Sequence, residues 1–126
     1  MPGKIINQTN EVIVIYGPKS PTTDPYYESY DNTVYHLEKG KTSPNNWDCD
    51  GFYVPSNRKV RQSEIETVNG PIAVNIDNEA NGTITQEGDT YIIDSRVLNT
   101  YPIGSINWFI PDYSYEKVEK WINGTL

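Results

Sequence analysis

Two residue types that carry much of enzyme chemistry are nearly missing from this chain, which has one cysteine, Cys49, and one histidine, His36. A lone cysteine excludes an intramolecular disulfide, so the fold has to stand on packing. It also leaves too few ligands for a zinc centre, which takes several Cys or His side chains. Cys49 lies between Asp48 and Asp50, and that negative charge works against a thiolate nucleophile. A Ser-His-Asp hydrolase would have to recruit His36, and no G-x-S-x-G segment presents a serine. Phosphate-cradling loops of the G-x-x-x-x-G-K-S/T or G-x-G-x-x-G kind are absent as well. No catalytic residue is assigned.

Positive charge and long apolar runs are also scarce. Ten Lys and Arg against seventeen Asp and Glu leave a formal charge of −7, which repels phosphate backbones and anionic lipid. Nucleic acid and membrane surfaces are therefore not expected partners, and a basic protein is. No stretch approaches the roughly 18 apolar residues of a membrane span. The opening Met1-Pro2-Gly3-Lys4-Ile5-Ile6-Asn7 lacks the apolar core of a secretory signal. The cytoplasm is the default expectation, with export by a route that needs no cleavable signal left open.

What is present is a single β-rich domain over residues 1–126 with ample material for a core, including ten Tyr, three Trp and two Phe,. Ile5-Ile6 and Val12-Ile13-Val14-Ile15-Tyr16 flank the polar Asn7-Gln8-Thr9-Asn10, which predicts an opening hairpin. The second of these runs is apolar on both faces, as a buried central strand is. Further strands are predicted at Thr33–Leu37, Phe52–Val54, Ile72–Ile76, Gly82–Gln86, Tyr91–Ile93 and Ile106–Ile110, with Arg58–Glu66 ambiguous. Ser114 then caps a helix whose Tyr115, Val118, Trp121 and Ile122 share one face, with Gly124 just past its end. The expected fold is mainly β: an antiparallel β-sandwich or small barrel with one short C-terminal helix.

Three segments hold candidate function. The first is a loop in which Tyr26, Tyr27 and Tyr30 stand among Asp24, Glu28 and Asp31. Tyrosine supplies broad contact area at low entropic cost, and the carboxylates attract Lys or Arg, so these six residues form a candidate surface for a basic protein. The second, Asn46-Trp47-Asp48-Cys49-Asp50-Gly51, spaces the oxygens of Asn46, Asp48 and Asp50 as a calcium loop does. Its continuation fails, because Asn57 stands where a bidentate Glu is needed and Pro55 interrupts the stretch. The third is the aromatic set Trp47, Phe52 and Tyr53, which either stacks on sugars or fills the core. Arg58, Lys59 and Arg61 read as a solvated or salt-bridged patch beside Glu64 and Glu66.

The function these features favour is a non-catalytic binding protein, an acidic module of inhibitor or immunity type that covers a basic partner surface. The alternative is a carbohydrate-binding, lectin-like β-sandwich with a calcium-organised loop. A third is a glycosidase-like enzyme built on carboxylates alone, which would need two acids facing one another across a cleft.

Overall fold

The computed structural model describes residues 4–16, 34–43, 49–62, 67–76, 81–105 and 110–124. In chain order they form β1 (Lys4–Asn7), β2 (Ile13–Tyr16), β3 (Val34–Leu37), β4 (Gly51–Val54), β5 (Lys59–Gln62), β6 (Val68–Asn69), β7 (Ile72–Ile76), β8 (Asn81–Glu87), β9 (Thr90–Asp94), β10 (Val97–Tyr101) and α1 (Tyr115–Ile122). The strands make two five-stranded sheets, β1-β8-β9-β5-β6 and β10-β7-β4-β2-β3. They are separate sheets stacked as a sandwich rather than one closed barrel.

Alternation along the strands builds the interior. Ile13 and Ile15 of β2, Phe52 and Val54 of β4, and Ile72, Val74 and Ile76 of β7 face Ile5, Val60, Ile84, Tyr91 and Ile93 of the first sheet. The intervening residues of the second sheet, Val14, Tyr16, Tyr53 and Ala73, form a second core with Ile110 and Val118. The second sheet is thus buried on both faces, between the first sheet and α1, and every residue of β2 and β4 is buried. The helix holds its place by its own signals. Ser114 accepts a hydrogen bond from the Lys117 amide at 3.2 Å, and Gly124 adopts the left-handed φ of +74° that ends the turn,.

Two local expectations are corrected. The opening segments do not form a hairpin: β1 pairs in parallel with β8 in the first sheet, while β2 pairs with β3 and β4 in the second. The corner between them is pinned by the buried Asn7. Its amide nitrogen donates to the carbonyls of Glu11 (2.8 Å) and Leu37 (2.9 Å), and its oxygen accepts from the Thr9 amide and hydroxyl. Antiparallel pairing holds throughout the second sheet, but the first is mixed, because β5 also runs parallel to β9. In the ambiguous Arg58–Glu66 stretch, Lys59–Gln62 is a strand. Of the strand expected at Ile106–Ile110, residues 106–109 lie outside the described residues, and Ile110 is a buried residue outside any strand.

The chain leaving β3 crosses to the first sheet. The turn Glu38–Lys41 closes with a 3.2 Å bond from the Lys41 amide to the Glu38 carbonyl, and Gly40 takes a φ of +76° there,. Residues 40–43 then run along β1, with amide-to-carbonyl bonds from Gly40 to Asn7, from Asn7 to Lys41 and from Ser43 to Ile5. This crossing brings Glu38 and Lys39 beside the corner that follows Asn7.

Candidate functional site

Glu11, at the end of that corner, is the centre of a buried polar cluster. Its carboxylate accepts two N–H groups of Arg58, the Nε at 2.9 Å, and the hydroxyl of Tyr91 at 2.7 Å. The two charged side chains are only 14% and 12% exposed. Burial pushes the Glu11 carboxyl up, but the bonds from Arg58 and Tyr91 outweigh it and leave the group below its ordinary value,. The bond to Glu11 raises the Arg58 guanidinium in turn. Burial, with Glu11 adjacent, raises the Tyr91 phenol. This is a satisfied ion pair, and its work is positioning.

The same cluster anchors α1. The Arg58 guanidinium lies 5.0 Å above the centre of the Tyr115 ring,. The Tyr115 hydroxyl accepts from the Val12 amide at 3.1 Å, and the Tyr115 amide donates to Asn57 Oδ1 at 2.8 Å. Asn57 also donates to Glu116 at 2.9 Å. The first turn of the helix is therefore tied to the β1–β2 corner and to the β4–β5 turn at once.

Between these tied elements lies a recess of about 420 Å³, walled by Asn10–Val12, by Glu38 and Lys39, and by Tyr115 and Glu119 of the helix. Three carboxylates and one ammonium line it. Glu11 is neutralised by Arg58, whereas Glu38 and Glu119 are exposed and have no ion pair among the described residues. Such a site can hold a cationic group of side-chain size against a tyrosine floor. A second recess, of about 360 Å³, lies along the edge of β3 at Tyr35–Glu38 with Lys41 and Thr42.

The residues singled out from sequence fall elsewhere. Asp24, Tyr26, Tyr27, Glu28, Tyr30 and Asp31 lie outside the described residues, as do Asn46, Trp47 and Asp48. Asp50 is buried, and its carbonyl accepts from Asn75 Nδ2 (2.9 Å) and from the Ile76 amide (3.0 Å). Among the described residues no three His, Cys, Asp or Glu side chains are grouped to hold a metal ion. Phe52 packs wholly between the sheets. Tyr53 is buried on the other face, where its hydroxyl donates to the Pro111 carbonyl and accepts from the Tyr113 amide at 3.1 Å. Neither offers a ring for a sugar to stack on. Burial, first, pushes the Tyr53 phenol up to about 12,.

Cys49 and His36 do not form a dyad. Cys49 is part of the core between the sheets, its thiol 3.6 Å from the Gly51 carbonyl. His36 packs on the opposite face of the second sheet, against Trp121 of α1. Of the basic cluster, Lys59 and Arg61 make exposed pairs with Asp89 (3.9 Å) and Glu87 (3.8 Å). Arg58 instead turns inward to Glu11.

Glu11, Glu38 and Glu119 were not distinguishable in the sequence from the other acids. The one available signal was helical spacing, since Glu119 follows the core residue Tyr115 by four positions and so lies one turn along the same face. No family model matches the chain, and no match was found among curated proteins or solved structures.

Proposed function

We propose that this chain is a non-catalytic acidic module, of inhibitor or immunity type, that covers a basic surface of a partner protein and seats a lysine or arginine side chain in the recess beside α1. The supporting observation is the pair of exposed carboxylates, Glu38 and Glu119, on opposite walls of a concavity whose frame is held rigid by Arg58, Glu11 and Tyr115. A preformed site loses little entropy on binding. The net charge of −7 adds long-range attraction that speeds encounter with a cationic surface.

The immobilised protein should retain a basic partner at low salt and release it at high salt. Glu38→Lys combined with Glu119→Lys should weaken that binding by about tenfold or more, mainly through slower association. Both positions are exposed, so a melt unchanged from wild type checks the fold. A parallel variant with Tyr26, Tyr27 and Tyr30 changed to Ala measures the share of the tyrosine-rich segment. Retention of no basic protein, or equal retention by the charge-reversed variant, would sink the proposal.

A further inference from the structure

The two walls of the recess are joined a second time, through the only histidine. Glu38 lies two residues beyond His36 on the chain, and Glu119 two residues before Trp121. His36 and Trp121 meet edge to face, with centroids 4.8 Å apart and planes at 77°. This contact joins the two chain segments that carry the carboxylates, beyond the tie that Tyr115 makes at the start of the helix. His36 stands on β3 opposite Val14 of β2. Its Nε2 is buried, with no hydrogen-bond partner among the described residues. Trp121 in turn packs against Tyr113 at 5.9 Å, and the Lys117 ammonium sits 4.8 Å above the Tyr113 ring.

Among the described residues, the elements packed around the imidazole carry the following titratable and charged groups. Strand β2 brings Tyr16, β3 brings Tyr35, and the turn after it brings Glu38 and Lys41, both beside the same recess as His36. Helix α1 brings Tyr115, Glu116, Lys117, Glu119 and Lys120, and Tyr113 lies just before it against Trp121. None of them bonds to Nε2.

We infer that His36 is a proton-sensitive latch on the recess: neutral, its ring holds α1 against β3 and keeps Glu38 and Glu119 at a fixed spacing; protonated, it releases the C-terminal half of α1. This rests on the reading of the recess as the binding site. Protonation would put positive charge on a ring whose Nε2 is buried and has no acceptor among the described residues, so the released form takes up the proton more readily. Burial accordingly holds the docked imidazole below its ordinary 6.5. The docked state then binds fewer protons than the released one. Docking is complete above about pH 6.5 and is lost as the pH falls through that value toward that of the docked ring.

Because there is one histidine, its ring Cε1–H gives one proton NMR resonance, and its titration reads this group alone. Between about pH 7.5 and about pH 5 it should titrate below 6.5,, with the Trp121 indole N–H shifting in step. Amide protection at Val118–Ile122 should fall by up to about tenfold per pH unit, while that of Phe52–Val54 stays level. His36→Phe keeps an aromatic edge that cannot be protonated, and its helix protection should be flat across the range. Titration at or above 6.5, as when Trp121 holds the cation by its ring face, overturns the latch, and so does unchanged helix protection in wild type. The wild-type measurement decides even where His36→Phe fails to fold. Tetra-arginine amide, titrated at about pH 7.5, tests the recess separately: absent binding removes that reading, while helix protection still reports on the latch.

Discussion

A methyl group at Gly70 would sit 1.9 Å from the carbonyl oxygen of Pro55 and 2.5 Å from that of Val54. Both obstacles are backbone, so no rotamer change relieves them. Gly70→Ala should destabilise the protein by about 3 kcal/mol, at the upper end of overpacking costs, read as a lower denaturant midpoint. Glu11 makes the complementary case, in which a side chain cannot be removed. Glu11→Gln leaves the Arg58 guanidinium buried without its counter-charge, and a loss of about 3 kcal/mol is expected. The pH dependence follows from the sign of the shift. The folded carboxyl lies below 4.5, so its contribution is present above that value and disappears as the pH falls through it. Wild type should therefore lose more stability than Glu11→Gln on acidification past about pH 4.5, as followed by urea melts at a series of pH values. At this scale the sequence was least legible. Arg58 looked like one member of a solvated cluster because its partner lies 47 residues earlier, and no local pattern reports such a pairing.

Elements were legible where their signals are local. Ser114, the apolar face of α1 and Gly124 define the helix within ten residues, and the structure has it at Tyr115–Ile122. Ser114→Ala should cost about 1 kcal/mol through loss of the cap. The loss should appear first as faster amide exchange in the first turn of α1, with the strands unaffected. The doubly apolar β2 was equally readable, and it lies between β4 and β3. The opening hairpin was misread because proximity in sequence suggests pairing, whereas Asn7 turns the chain from one sheet into the other. Strands β6 and β10 carried little signal. The first has two residues, and the second, Val-Leu-Asn-Thr-Tyr, is an edge strand with a bulge after Val97 and little of the alternation a buried face imposes,.

For the whole molecule, the strand pattern and the C-terminal helical spacing pointed to a β-sandwich or small barrel with one short helix, and the structure shows two stacked sheets with the helix on one of them. Strand order and the two parallel pairings were out of reach, since Lys4–Asn7 meets Asn81–Ile84 and Lys59–Gln62 meets Thr90–Ile93 across long stretches of chain. The candidate recess was hidden for the same reason: its walls come from residues 10–12, from 38 and 39, and from 115 and 119. Charge was legible as a total and not as a pattern. Most of the acids are interchangeable in sequence, yet Glu11 is consumed by Arg58 while Glu38 and Glu119 are exposed and make no ion pair among the described residues.

Among the described residues the middle sheet is covered on one side by another sheet and on the other by an eight-residue helix together with Ile110 and Tyr113. All ten strands among the described residues precede that helix in the chain. During synthesis, then, Val14, Tyr16, Tyr53 and Ala73 lack their packing against Val118 until α1 leaves the ribosome and folds over them, and apolar sheet surface uncovered in that interval favours self-association.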